Sequence, residues 1–170
     1  MTNVVFYGDY SVGKSTLVNR IINDKYEIVQ PTIGAVYNRI EKDNKIMEIW
    51  DTAGSERFNS VMPIYLRKAD IIILCIDILD TLNSINKKIK FIKEVVDENV
   101  KVFIVITKLD KCFIPYSMRN REYYYLSSKT GEGIDELLND ILKELPNKPK
   151  RDNTISLSYK EDKKRWCCLI

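Results

Sequence analysis

The sequence predicts an α/β fold: a mainly parallel six-stranded sheet with helices on both faces. Three observations carry this. Ile71–Ile76 and Val102–Ile106 are unbroken apolar, β-branched runs, as strands covered on both faces require. Helical spacing separates the strand-like runs, and alternating strands and helices imply a mainly parallel sheet. A short apolar strand, Asn3–Tyr7, runs into a glycine-containing loop that opens a helix.

Taken in order, Lys14–Asn23 carries Leu17, Val18, Ile21 and Ile22 at helical spacing. Ala35–Lys42 and Lys45–Trp50 alternate around Asp43-Asn44, which reads as a β-hairpin. Ser84–Glu98 places Ile85, Ile89, Ile92, Val95 and Val96 as an amphipathic helix between the two buried strands. Glu122–Leu126 is a further strand. Ile134–Leu145 is a helix with Gly133 before it, Asp135 and Glu136 in its first turn and Pro146 after its end.

The 170 residues suffice for one domain with a full core. The longest apolar run has six residues, too few to cross a bilayer, and no signal peptide is expected. Cys75, Cys112, Cys167 and Cys168 match neither a disulfide framework nor a zinc site, so a reducing cytosol is expected. With no histidine, imidazole ligands and imidazole bases are excluded. The net charge of +3 is uneven. From Pro146 onward there are seven Lys/Arg and three Asp/Glu, a net of +4, and the preceding 145 residues hold 20 and 21, a net of −1. A basic tail on a near-neutral body argues against nucleic acid as a partner and for a tail that meets a negative surface. The expected division is 1–145 for the folded domain and 146–170 for a flexible basic tail.

Gly8-Asp9-Tyr10-Ser11-Val12-Gly13-Lys14-Ser15, followed by Thr16, fits G-x-x-x-x-G-K-S/T in its strand–loop–helix context. Backbone N–H groups of such a loop, with a helix N-terminus, cradle phosphate oxygens. Lys14 would bridge the outer phosphates and the Ser15 hydroxyl would ligate Mg²⁺. The loop alone does not separate ATP from GTP. Thr107-Lys108-Leu109-Asp110 ends a buried strand. One carboxylate accepts both guanine N1–H and the exocyclic amine. Adenine would leave Asp110 unsatisfied, so it would select guanine. Lys108 would lay its stem along the base, and a backbone N–H in Ser127-Ser128-Lys129 would reach the guanine O6.

This ordered set, with a threonine and D-T-A-G between its ends, resembles the Ras superfamily of small GTPases. Thr32-Ile33-Gly34, Trp50-Asp51-Thr52-Ala53-Gly54, Glu56-Arg57-Phe58 and a terminal cysteine pair resemble the Rab branch. The resemblance covers residues 3 to about 145 and the last four. It implies the P-loop NTPase fold and a GTP/GDP switch with Mg²⁺. It makes Thr32 a Mg²⁺ ligand that senses the terminal phosphate, Asp51 a holder of Mg²⁺ through water, and the Gly54 N–H a contact to that phosphate. It places Tyr26 against the guanine edge, and Tyr37, Trp50 and Tyr65 in an aromatic patch for effectors.

Several departures stand out. Ser55 replaces the glutamine that orients the attacking water, and is too short for that role. Tyr10 replaces a small residue and should crowd that water and any partner's arginine. Thr107 replaces an asparagine, which the Rho branch tolerates. Only sixteen residues separate Asp110 from Ser127, so the helix usual there should be shortened or absent. The segment from Tyr26 to Thr32 is one residue short and stiffened by Pro31, which puts the fit of Thr32 to the metal in question.

Lys163-Lys164-Arg165-Trp166-Cys167-Cys168-Leu169-Ile170 puts Cys167 fourth from the end, as a C-a-a-X box requires. The resemblance implies geranylgeranyl on one or both cysteines. Two chains, or one with a basic patch, anchor a protein to membranes. The resulting expectation is a monomeric Rab-like GTPase of vesicle traffic, on the cytoplasmic face of endomembranes and cycling with the cytosol. The family implies an exchange factor, an activating protein, effectors, prenyl transferase machinery and a lipid-masking chaperone. Lys14, Thr32, Gly54 and Ser55 form the expected catalytic set. The alternative is a pseudo-GTPase locked in one nucleotide state, favoured by Ser55 and Tyr10. A P-loop ATPase is disfavoured by Asp110.

Overall fold

Strand β4 (Ile71–Asp77) sits at the centre of the molecule and shows why the sheet needs two layers of helix. Its alternate side chains point to opposite faces. Ile71, Ile73 and Cys75 enter one core with Leu17, Val18, Leu137, Leu138 and Ile141. Ile72, Leu74 and Ile76 enter a second core with Leu66, Ile85 and Ile92. Both faces are therefore apolar, and full burial of one such side chain stabilises by about 1.5–3 kcal/mol.

This computed structural model describes residues 2–58, 60–80 and 82–147, without the side chains of Arg57 and Leu82. The cysteines Cys167 and Cys168 and nearly all of the expected tail lie outside the described residues. The six strands run in the order β2 (Ala35–Lys42), β3 (Lys45–Thr52), β1 (Thr2–Tyr7), β4, β5 (Lys101–Thr107) and β6 (Tyr123–Tyr125). Only the β2–β3 pair is antiparallel. Helices α1 (Lys14–Asn23) and α4 (Ile134–Glu144) cover the first core. Helices α2 (Met62–Leu66) and α3 (Leu82–Val95) cover the second.

The expected elements are present within a few residues of their expected ends. Asp43 and Asn44 both adopt positive φ, 50° and 59°, the backbone a two-residue hairpin turn requires. The shortened stretch between Asp110 and Ser127 holds one single 3-10 turn, Tyr116–Met118, after the turn Leu109–Lys111 that contains Asp110, and no α-helix. Helix α2, absent from the sequence reading, has five residues with a proline in its first turn. The parallel strands β1, β4 and β5 bring the loops after Tyr7, Asp77 and Thr107 to one edge of the sheet, where the site lies.

Candidate nucleotide site

A cleft of about 390 Å³ runs along this edge. Tyr10, Ser11, Gly13, Lys14, Ser15 and Thr16 line it from the loop between β1 and α1. Tyr26 and Val29–Thr32 close one side, and Thr107, Lys108, Asp110, Ser128 and Lys129 form the far end. The loop's backbone is specialised. Ser11 and Gly13 take φ of 61° and 97°, and a Cβ on Gly8 would lie 2.2 Å from the Cys75 carbonyl oxygen. The loop thus packs on β4 at a closeness only glycine permits.

Lys14 is buried, with its ammonium donating to the carbonyls of Gly8 (2.9 Å) and Asp9 (2.8 Å). Burial lowers its pKa, against the opposing pull of Cys75, Asp51 and Asp9. Gly54 approaches from the end of β3. A Cβ there would lie 2.3 Å from the Asp9 carbonyl oxygen and 2.5 Å from Lys14 Nζ.

At the phosphate end, the Ser15 and Thr32 hydroxyl oxygens are 2.7 Å apart, and Thr32 donates to Asp51 Oδ2 at 3.1 Å. Asp51 Oδ1 is buried with no hydrogen-bond partner. Burial raises the Asp51 pKa, while the Ser15 and Thr32 hydroxyls and Lys14 oppose the rise. Two hydroxyls and a carboxylate with an unused buried oxygen make a hard oxygen donor set, which fits Mg²⁺. The short segment before Thr32 does not keep it from Ser15 and Asp51. The Ala53 N–H donates to the Gly34 carbonyl at 2.8 Å, tying the two segments that flank this end.

At the other end, Ser127 donates to Asp110 Oδ1 at 2.6 Å, orienting the carboxylate and leaving its second oxygen outside that bond. The Ser127 N–H is committed to the Glu132 carbonyl at 3.0 Å. A base oxygen would therefore meet the backbone of Ser128 or Lys129, both on the cleft wall. The buried Thr107 hydroxyl shares its proton between the carbonyls of Val12 (2.6 Å) and Ile76 (3.0 Å), linking the base loop to the phosphate loop. Lys108 makes a second link, donating to the Ser11 carbonyl (2.6 Å) and to Asp77 Oδ2 (2.5 Å). For Asp77, burial acts to raise the pKa, but the bonds from Lys108 and the Leu79 N–H outweigh it and the net shift is downward.

Not every expected residue faces the cleft. The Val12 side chain is buried in the core. Ser127 is buried behind Asp110. Asp9 turns its carboxylate to Lys88 of α3 at 2.6 Å and lines an adjoining cavity of about 760 Å³ instead. Ser55 is in that adjoining cavity, with Pro31, Thr32, Gly54 and Phe58. Tyr10, 62% exposed, lines both spaces. Tyr37, Trp50 and Tyr65 pack in sequence across β2, β3 and α2 with tilted rings, their centroids 5.1 and 5.8 Å apart.

Asp77, Lys88 and Lys111 belong to the neighbourhood of the site and escaped the sequence reading. Asp77 had one available signal, a carboxylate at the end of a buried strand. Lys88 had none, since its partner lies on another element.

The family description "Ras of Complex, Roc, domain of DAPkinase" matches residues 3–110. The chain is 30% identical over 173 residues to the Ras-like GTP-binding protein RYL2 of Yarrowia lipolytica, covering 88% of this chain and 83% of that protein. It is 32% identical over 167 residues to the GTP-binding protein YPT53 of Saccharomyces cerevisiae, covering 84% and 76%. To the human Ras-related protein Rab-31 it is 30% identical over 187 residues, covering 97% and 96%.

Proposed function

We propose, on the premise that the chain belongs to the Ras superfamily of small GTPases and is a Rab-like GTP hydrolase, that it is a Mg²⁺-dependent GTP/GDP switch acting on membranes in vesicle traffic, with slow turnover of its own. The observation that carries the reading is the pairing of two ends of one cleft. The Ser15–Thr32–Asp51 cluster lies at one end and the Ser127-held Asp110 at the other.

Asp110 would accept the two guanine donors through its carboxylate. Adenine in its place would leave a desolvated carboxylate unpaired, the kind of mismatch that gives large discrimination. Tyr26 and Lys108 both line the cleft; Tyr26 would stand against the guanine edge and Lys108 would lay its stem along the base. Ser15, Thr32 and Asp51 would hold Mg²⁺, which when bound neutralises charge on the outer phosphates. The unpartnered Asp51 Oδ1 suits contact through a water.

In hydrolysis a water attacks the terminal phosphorus in line and the diphosphate leaves. Lys14 and the N–H groups of residues 10–15 meet the negative charge that spreads over the phosphate oxygens. Thr32 and the Gly54 N–H would read the terminal phosphate. Because Ala53 is bonded to Gly34, ordering either segment helps to order the other. Ser55 borders the cavity where the attacking water would stand, and its hydroxymethyl is too short to aim that water. The large exposed Tyr10 ring in the same cavity favours a second reading, a binding module that holds its nucleotide without useful turnover.

The Tyr37–Trp50–Tyr65 cluster offers aromatic anchors suited to effectors. Residues 1–145 form the nucleotide domain and residues 146–170 the basic tail, lipidated at Cys167 and Cys168. Hydrogen exchange of the protein loaded with GDP or with a non-hydrolysable GTP analogue tests the switch. Amides in 30–36 and 53–62 should be better protected with the GTP analogue. Identical protection in both states would refute switching and leave the second reading.

A further inference from the structure

Where the sequence is too short for a helix between Asp110 and Ser127, the chain forms a loop that turns its apolar side chains outward. Phe113, Tyr116 and Met118 are 89%, 85% and 76% exposed. The loop is nonetheless held in shape. Arg119 donates from Nε to the Ile114 carbonyl at 3.2 Å and pairs with Glu132 at 3.4 Å. Its guanidinium carbon lies 6.0 Å from the Tyr116 ring centre and 5.6 Å from that of Tyr125. The outward display therefore belongs to a fixed loop. From Lys111 to Arg121 there are three cations and no Asp or Glu.

Three exposed apolar side chains beside the exposed Arg121, in a stretch without Asp or Glu, are the composition of a segment that enters the interface of an anionic bilayer. We propose that the 111–121 loop is a second membrane contact. Phe113, Tyr116 and Met118 enter the headgroup–acyl boundary, and Arg121 meets anionic headgroups. Charge favours a lipid surface over a protein groove here, since each Lys or Arg near an anionic leaflet gains roughly fivefold in affinity. Chain length permits it as well. The 21 residues from Pro146 to Trp166 can span up to about 70 Å, enough for an anchored terminus and this loop to meet one bilayer. The two contacts together would fix how the nucleotide domain faces the membrane, and attachment at two points raises the effective concentration of each. The inference rests on the membrane role proposed above, but its test does not depend on lipidation.

The full chain, unlipidated, would be mixed with vesicles of phosphatidylcholine alone or with phosphatidylserine, and amide exchange would be followed. Protection of 111–121 is expected on phosphatidylserine vesicles only. Phe113→Ser with Met118→Ser should abolish it while nucleotide binding is unchanged, and this pair leaves the Arg119–Tyr116 contact intact. Arg121→Gln should weaken vesicle binding roughly fivefold. Unchanged exchange in 111–121 while the chain sediments with anionic vesicles overturns the proposal. So does equal protection on neutral vesicles, or protection that grows with protein concentration in the absence of lipid, which would mark a contact with a second copy. Separately, Cys167→Ser with Cys168→Ser in a cell fractionation tests the lipid anchor, so failure of the anchor and failure of the loop are distinguishable.

Discussion

The Ser15 and Thr32 hydroxyl oxygens stand 2.7 Å apart, although the residues are 17 positions apart and joined by the rest of α1 and an irregular segment after it. Their meeting point is Asp51, whose second carboxylate oxygen is buried and unpartnered. A buried polar atom without a partner lowers stability by about 1–3 kcal/mol. Asp51→Ala should therefore leave the metal-free, nucleotide-free protein as stable as the wild type or slightly more so. The same change should remove the thermal stabilisation that Mg²⁺ with GDP provides, and Ser15→Ala should weaken Mg²⁺ affinity by more than the roughly 10- to 100-fold that loss of an outer-shell partner costs. Thermal denaturation with and without Mg²⁺ checks both. Full Mg²⁺ stabilisation of Asp51→Ala would remove Asp51 from the metal site.

Base selection depends on a carboxylate that Ser127 holds in place. A hydrogen bond to a charged group contributes about 1.5–3 kcal/mol, so Ser127→Ala should weaken GDP binding roughly 10- to 100-fold. Asp110→Asn should lower guanine affinity and raise xanthine affinity, because the complementary donors and acceptors are exchanged. Competition titrations with GDP, XDP and ADP report this directly. An Asp110→Asn protein that still prefers GDP would contradict the assignment.

Thr107 stands where an asparagine is usual, and its hydroxyl reaches the Val12 carbonyl across 95 positions of sequence. Thr107→Val keeps the shape and deletes the donor, leaving buried carbonyls unpaired. We expect a loss of about 1–3 kcal/mol in stability and weaker binding of GDP and GTP alike. Thr107→Ser should restore both. A Thr107→Val protein with wild-type stability and affinity would show that this bond does not couple the two loops.

Turnover tests the Ser55 and Tyr10 readings together, because both border the same cavity. Loss of one preorganised transition-state contact lowers rates by roughly 10²–10³-fold in enzymes where it has been measured. Single-turnover hydrolysis should rise modestly with Ser55→Gln and further when Tyr10→Ser is added. If the wild type hydrolyses GTP as fast as the double variant, Ser55 is no defect.

The parts legible in the sequence were those whose physics is local. Buried strands such as β4 announce themselves by unbroken apolar runs, and the hairpin turn by Asp43-Asn44. The phosphate loop and base loop are fixed spacings next to strand ends. Helix α2 was not legible, because five residues span too little of a helical period to show one. The Lys88–Asp9 and Lys108–Asp77 pairs depend on elements brought together only by the sheet. The missing residue before Thr32 counted against its fit, yet residues 25–33 have no regular structure. Irregular backbone is free to take up such a deletion, which a helix or strand register is not.

The central claim is that one cleft binds a guanine nucleotide with Mg²⁺, and the nucleotide content of freshly purified protein tests it most directly. Full-length protein kept in Mg²⁺ would be denatured, and the released nucleotide identified and counted by chromatography. We expect close to one guanine nucleotide per chain, released early by a metal chelator and absent from a Lys14→Ala variant. Adenine nucleotide at the same stoichiometry, or none in a folded wild-type protein that also fails to take up added GDP, would contradict the account.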